Sequence, residues 1–334
     1  MARPIEEFAV AWQALSGKGD GTGWRCIPVS PAGPCPLLAA RRFPGNEEAV
    51  LAGFRTVKAP PKELMPEGVG FEVAREDPHG DGNTWIALTR KDAGSEEMFA
   101  EIVLDVVGTM DAVSEADEEV ILRTMLSRVR AWQEFMRKTP RGLSPEAEIG
   151  LAGELTFLAM LLDAGVPAAS VVEAWVGPVG GVQDFEIGTG AIEVKSTLSN
   201  NGFPAKIGSL EQLDDSFRAP LYLVGVRFSL ASGGSTLGEI ATSLVERMSH
   251  GSGAASAFVD SLVAAGLPPA QFNKYMRRFV PVSCRILEVG EGFPRFVPGS
   301  VAEAVRRVYY ELDLDKVAGY GLDIVEVLER LGIA

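Results

Sequence analysis

Asp184-Phe185-Glu186-Ile187-Gly188-Thr189-Gly190-Ala191-Ile192-Glu193-Val194-Lys195 is the stretch on which the reading of this chain turns. Val182 to Ile187 and Ala191 to Thr197 both alternate with β-branched or aromatic residues, and Gly188-Thr189-Gly190 between them supplies the positive φ that a hairpin demands. With Gly188-Thr189 as a two-residue type II′ loop, Ile187 opposes Gly190, Glu186 opposes Ala191, and Asp184 falls opposite Glu193. Their Cβ atoms then lie roughly 5 Å apart. Period-two alternation keeps Lys195 on the face of Glu193 and sends Ile192 and Val194 to the other face, toward a core. A slip of one residue would undo the pairing.

Two carboxylates facing each other across a ladder repel, at up to about 1 kcal/mol even when solvated. A hard divalent cation with oxygen ligands compensates; Lys195 alone does so only in part. The competing interpretation is an exposed polar hairpin face with one weak surface ion pair. A third acid precedes the hairpin. Ser144-Pro145 reads as an N-cap followed by Pro at the first helical position, and Ile149, Leu155, Leu158, Leu161 and Leu162 recur at helical spacing until Gly165. Gly150 and Gly153 interrupt this helix at about 1 kcal/mol each relative to Ala, which marks close approach of its backbone to another element. Glu154 follows the second glycine. A carboxylate there can reach the hairpin acids, although a helix Glu is ordinarily solvent-facing.

Glu154, Asp184 and Glu193-Val194-Lys195, in helix, strand, strand order, resemble the PD-(D/E)XK nuclease superfamily. Within it the chain is similar to the bacterial DUF4420 family in several places: Gly150-Leu151-Ala152-Gly153-Glu154-Leu155, Trp175 with Gly177-Pro178, Gln183-Asp184-Phe185, Ile192-Glu193-Val194-Lys195-Ser196-Thr197, and Glu211-Gln212-Leu213. The resemblance is strongest over residues 128 to 225. Gln183 stands where the superfamily name has proline.

The resemblance implies a Mg²⁺- or Mn²⁺-dependent phosphodiesterase acting on DNA. It implies as partners the ATPase, helicase-like and methyltransferase subunits of a restriction or phage-defence system. Asp184, Glu193 and the Val194 carbonyl would hold the metal, with Glu154 acting through a water or a second ion. Lys195 would orient the attacking water or offset charge on the transition state. Glu186 is a spare acid on the Asp184 face, or a solvated strand end. Gln212 either contacts the lysine or the water from a following helix, or is an ordinary helix-surface amide. A non-catalytic binding or scaffold subunit that keeps the fold is the alternative function, and an RNA-directed nuclease is a third.

At 334 residues and 46% hydrophobic, the chain can bury a sizeable core. The N-terminus lacks the charged-then-apolar pattern of a secretory signal, and no apolar stretch approaches the roughly 20 residues that span a bilayer, so a cytoplasmic location is expected. Cys26, Cys35 and Cys284 have no metal-like spacing, and His79 and His250 are the only histidines, which argues against zinc chemistry and a Ser-His-Asp triad. No P-loop spacing is present. A net charge of −14 opposes a polyanion. Two local basic groups could act as phosphate tracks. The first is Arg123, Arg128, Arg130, Arg137, Lys138 and Arg141, which the dipole of a helix opening at Ser114-x-x-Asp117 equally explains. The second is Lys274, Arg277 and Arg278 interleaved with Phe272, Tyr275 and Phe279, which an amphipathic surface helix equally explains.

Residues 1–95 hold short apolar runs (Trp24 to Val29, Pro36 to Ala40, Trp85 to Thr89) separated by turn signals at 17–21 and 77–83, a β-rich region. Residues 96–232 join helices to the hairpin core. Phe99, Ile102, Val103, Val106 and Val107 form one helical stripe there, and Leu122, Met125, Val129, Trp132 and Met136 another. Residues 233–334 are mixed: Thr236-x-x-Glu239 opens a helix to Met248, a second helix runs from Ala254 to Ala265, and strands are expected around 280–289 and 305–314. The fold class expected is α/β, a restriction-endonuclease-like mixed sheet flanked by helices, with a β-rich N-terminal and a mixed α+β C-terminal region.

Overall fold

Every expected N-terminal strand forms, and each is placed by burial rather than by its turn alone. The computed structural model describes residues 6–17, 21–68, 70–80, 83–138, 142–249 and 253–333, so parts of the turns at 17–21 and 77–83, and Arg141, lie outside the described residues. Two compact units divide at 140/141, Met1–Pro140 and Arg141–Ala334. The boundaries expected at 95/96 and 232/233 fall inside these units rather than between them.

In the first unit, α1 (Glu6–Leu15) precedes five strands, β1 (Gly23–Ala32), β2 (Cys35–Phe43), β3 (Glu47–Phe54), β4 (Phe71–Glu76) and β5 (Thr84–Arg90), which form an antiparallel sheet in the order β1-β2-β3-β5-β4. Val50, Leu51, Ala52, Ile86, Ala87 and Leu88 are all buried, so β3 and β5 are covered on both faces and carry no alternation. Helix α1, absent from the sequence reading, buries Phe8, Ala11, Trp12 and Leu15, and the Trp12 indole donates to the Ala49 carbonyl at 2.8 Å. Helices α2 (Glu96–Ala112) and α3 (Glu118–Lys138) bury the expected stripes, Met136 only in part. Asp105 of α2 clamps the pair: it accepts from Arg128 Nε and Nη2 at 2.5 and 2.7 Å and from the Trp132 indole at 2.7 Å.

The second unit opens with α4 (Pro145–Asp163) and α5 (Ala168–Ala174), followed by β6 (Phe185–Ile187), β7 (Gly190–Thr197), β8 (Pro204–Ile207) and β9 (Leu221–Thr236). It continues through α6 (Leu237–Met248), α7 (Ala254–Ala264), β10 (Arg278–Val289), β11 (Tyr310–Asp313) and α8 (Ile324–Arg330). The sheet order is β10-β9-β7-β6, with β7 and β9 parallel and the other pairs antiparallel; β8 and β11 form a separate ribbon. Ile192, Val194, Tyr222, Val224, Val226 and Phe228 face a core shared with α4 to α8. Ala191, Leu221, Leu223, Leu287 and Val289 face a second core closed by Phe203 and the ribbon residues Ala205 and Ile207. This is a mixed α/β unit with a layer on each side of the sheet, and the C-terminal segment is part of it.

The hairpin takes the register read from the sequence, Ile187↔Gly190, Glu186↔Ala191 and Phe185↔Ile192. Gly188 has φ 57° and Thr189 is not left-handed, as a type II′ turn requires. Strand β6 is shorter than expected because the Asp184 carbonyl accepts from both Val176 and Gly177 N–H at 3.0 Å, which draws the chain out of the ladder. The strand expected at 305–314 shrinks to β11, with Val308, Tyr310 and Leu312 only half-buried.

Helix α4 is capped by Ser144, whose hydroxyl accepts from Ala147 N–H at 3.2 Å. Its two glycines differ in kind. A Cβ at Gly153 would sit 1.7 Å from Ser196 Oγ on β7, whereas a Cβ at Gly150 would meet nothing within 4 Å. Gly153 therefore marks the expected close approach and Gly150 does not. Thermal or urea melts check this. Gly150→Ala should stabilise by up to about 1 kcal/mol from helix propensity alone. Gly153→Ala should destabilise by about 1–3 kcal/mol through overpacking, with partial rescue by Ser196→Ala. Equal effects at the two sites would contradict this packing.

Candidate active site

The tight seat of α4 on β7, made possible by Gly153, carries Glu154 to the edge of the sheet. Its Oε2 accepts from the Trp175 indole at 2.8 Å. Trp175 in turn bridges Phe185, the residue after Asp184. The intervening loop passes close by: a Cβ at Gly177 would lie 3.2 Å from Asp184 Oδ1 and 3.5 Å from Glu154 Oε2. Both carboxylates thus converge on the backbone at Gly177, where a side chain would press on Asp184.

Asp184 lies one residue outside the β6 ladder, and its Oδ2 accepts from Val194 N–H at 2.8 Å, which ties it to β7 beside Glu193. Glu193 is 1% exposed. Its Oε1 accepts from Lys195 Nζ at 2.5 Å, and its Oε2 is buried with no hydrogen-bond partner among the described residues. Burial first, then the Asp184 carboxylate, push Glu193 up to about 8, against the pull of Lys195 and the nearby Asp184 amide. Glu154 is raised well above the usual carboxylate range by burial and by Asp184, with the Trp175 indole opposing. Asp184 is raised by burial, with the Val194 amide and Lys195 opposing. Burial is the first cause at all three carboxyls, like charge adds to it at Glu154 and Glu193, and Lys195 opposes the shift at each.

Glu154, Asp184, Glu193, Val194, Lys195 and Gln212 all line one cleft of about 440 Å³. A wider groove of about 830 Å³ in the first unit is lined by Thr56, Glu118 and Arg123. Glu118 Oε2 is already bonded there to Arg55 N–H, Thr56 N–H and the Thr56 hydroxyl, and the other acids lining it, Asp117 and Glu119, are exposed, unlike Glu193.

A hard divalent ion fits the pair Asp184 and Glu193: two carboxylates, one with a buried orphan oxygen, next to the Val194 peptide. Glu154 does not complete a cage with them, because its Oε2 faces the indole, and among the described residues no three His, Cys, Asp or Glu side chains are grouped to hold a metal ion. Gln212 lies in a turn, not on a helix, and its Oε1 accepts from Gly208 N–H at 2.8 Å; it reaches the cleft but makes no bond to Lys195. Glu186 is no spare ligand, since it pairs with Arg218 at 2.7 Å.

Several arginines of both basic groups are already paired within the fold. Arg128 is buried on Asp105, Arg123 pairs with Glu119 at 3.4 Å, and Arg137 with Glu134 at 2.8 Å, all within the first unit; the Lys138 side chain and Arg141 lie outside the described residues. In the second group the chain is a 3-10 turn leading into β10, not a surface helix. Arg277 pairs with buried Glu148 at 2.6 Å and Arg278 with Glu239 at 2.8 Å. The sequence reading missed Ser196 and Lys206 of the cleft, since neither belongs to the hairpin face or to a charge cluster.

The raised pKa of Glu193 sets a sign for metal-free stability. Protonation favours the folded state, so this contribution is whole below pH 4.5 and is lost as pH rises through about 8. In chelator, the melting temperature of the wild type should fall relative to Glu193→Gln between about pH 5 and pH 9. A constant difference across that range would contradict the buried, repelled carboxylate.

The chain matches the family described as "Putative PD-(D/E)XK family member, (DUF4420)" over residues 8–315. Comparison with curated proteins and with solved structures finds no match. No helix among the described residues is long and apolar enough to cross a membrane. With the match spanning both units and the whole acid hairpin, the chain belongs to the DUF4420 family of PD-(D/E)XK members.

Proposed function

We propose that the protein is a metal-dependent DNA endonuclease, the nuclease subunit of a restriction or phage-defence system. The observation that carries this is the pair formed by Glu193 and Asp184: a carboxylate buried to 1% with an orphan oxygen, beside a second acid, with an ammonium 2.5 Å from its other oxygen. Nothing in the packing of β7 requires a charge there, and burying one uncompensated is costly.

Asp184, Glu193 and the Val194 carbonyl would hold Mg²⁺ or Mn²⁺, which supplies Lewis acidity toward a phosphate oxygen and acidifies a bound water. The chain's own groups divide the remaining work. Lys195, held by Glu193, presents its ammonium where a phosphate oxygen gains charge and can orient the attacking water. The Val194 amide holds Asp184 in one rotamer. The Trp175 indole holds Glu154 beside Asp184, from where it would act through a water or a second ion.

The charge of the cleft supports dependence on partners. Glu146, Glu154, Asp184, Glu193 and Glu311 line it against Lys195 and Lys206, and the chain carries −14 overall. Affinity for DNA comes mainly from cations that release counterions. ATPase and helicase-like proteins, acting with a methyltransferase that marks the host genome, would then supply engagement and trigger. The same acidity favours a second reading, a scaffold subunit that keeps the nuclease fold without cutting.

Lys195→Ala or Glu193→Ala should lower Mg²⁺-dependent cleavage by about 10²-fold or more, since each removes charge stabilisation at the phosphate. Cutting at the wild-type rate by either well-folded variant would exclude these roles. Mg²⁺ or Mn²⁺ should also raise the melting temperature of the wild type, by binding only the native state, and fail to do so in Asp184→Asn. An equal shift in that variant would put the ion elsewhere.

Cleavage by the isolated chain should be weak at physiological salt and rise strongly when the partner proteins are added. Efficient unassisted cutting under those conditions would contradict the subunit assignment.

A further inference from the structure

Gly150 is a cost without a structural return. It sits within α4, where glycine is about 1 kcal/mol worse than Ala. A side chain there would meet nothing within 4 Å, so neither packing nor backbone conformation calls for it. It does line the acid cleft. Across the same cleft stands Lys206 of β8. Its neighbours Ala205 and Ile207 are each 1% exposed against the ribbon-side core, so alternation turns Lys206 outward. The Lys206 side chain is exposed and makes no hydrogen bond or ion pair among the described residues, not even with Glu311, its direct partner on β11. Of the two ammonium groups in the cleft, Lys195 is hydrogen-bonded to Glu193, whereas Lys206 acts on the exposed Glu146 carboxylate only through space.

We infer that the strip between Gly150 and Lys206 is the groove through which the nucleic-acid backbone passes the acids, with Lys206 contacting a phosphate next to the scissile one and Gly150 leaving the space. This rests on the nuclease reading and adds to it where the substrate lies. The bare helix backbone at Gly150 lets a sugar-phosphate chain approach α4 closely. Lys206 supplies the charge that the acid-lined wall lacks, as a point contact carrying no sequence information.

The test measures equilibrium binding of a DNA duplex, and of one of its strands, to Glu193→Gln protein at low salt, alongside melts. In that background Gly150→Leu should melt at or above its parent, because Leu is a good helix former and the space is open, yet bind about tenfold more weakly. Lys206→Ala should melt unchanged, weaken binding about tenfold, and lower the slope of log affinity against log salt by about 0.9 on duplex or 0.7 on single strand. Lys206→Arg should restore the slope. Lys62→Ala, an exposed lysine of the first unit with the same charge change, should leave both nearly unaltered.

A more stable protein that binds less well is a signature misfolding cannot produce. Unchanged binding in Gly150→Leu and Lys206→Ala, or an equal loss in Lys62→Ala, overturns the groove while leaving the nuclease reading standing. Absence of DNA binding by the parent overturns the groove itself. Groove-dependent binding in a wild-type protein that never cuts with Mg²⁺ would uphold the groove and remove the nuclease reading instead.

Discussion

The carboxylate of Glu193, buried in β7, is the constraint around which the second unit is arranged. Its strand lies between β6 and β9, with helices covering one face and the β8–β11 ribbon covering the other, so the group has lost its water. Lys195 satisfies one of its oxygens, and among the described residues no group hydrogen-bonds the other. Desolvating a carboxylate costs several kcal/mol unless it is paired. The surrounding features keep this costly group in place: Gly153 lets α4 lie against β7, and Trp175 and the bare Gly177 bring Glu154 and Asp184 alongside. The Val194 amide ties Asp184 down.

Elsewhere several charged groups that look available for ligands are spent on architecture. Arg128 fills the space between α2 and α3 with both its forks on Asp105. Glu48 joins Arg41 and Arg90 at 2.7 and 2.5 Å, and Arg277 neutralises Glu148 beneath the start of α4. Removing one member of such a buried pair strands the other, which is why these contacts act as permanent braces and not as phosphate contacts. What remains for a polyanion is small and local, in keeping with a protein of −14 overall charge.

The hairpin was legible in the sequence because its determinants are local. Alternation, the Gly188-Thr189 turn and the two-residue loop count settle register without reference to any other element, and the observed pairing follows. The capping signals at Ser144 and Thr236 are likewise short-range, and both hold. The order Glu154, Asp184, Glu193, Lys195 named the acids that line the cleft, and the family match agrees with the resemblance those residues carry.

Tertiary structure decided what depends on distant partners. Amphipathic patterning could not tell which arginines would find acids, since Arg128 and Asp105, or Arg277 and Glu148, are brought together only by folding. Helix α1 has no capping signal strong enough to announce it and is held by Trp12 reaching the sheet. Gln212 was read as helical, but its segment is fixed instead by the Gln183 amide donating to the Glu211 carbonyl at 3.0 Å, which makes it a turn. The two glycines of α4 are identical in sequence terms; only the position of Ser196 on a strand more than forty residues away separates the one that packs from the one that leaves space. Local chemistry thus chose the elements and the acids, while long-range packing chose which charges are spent and which remain free.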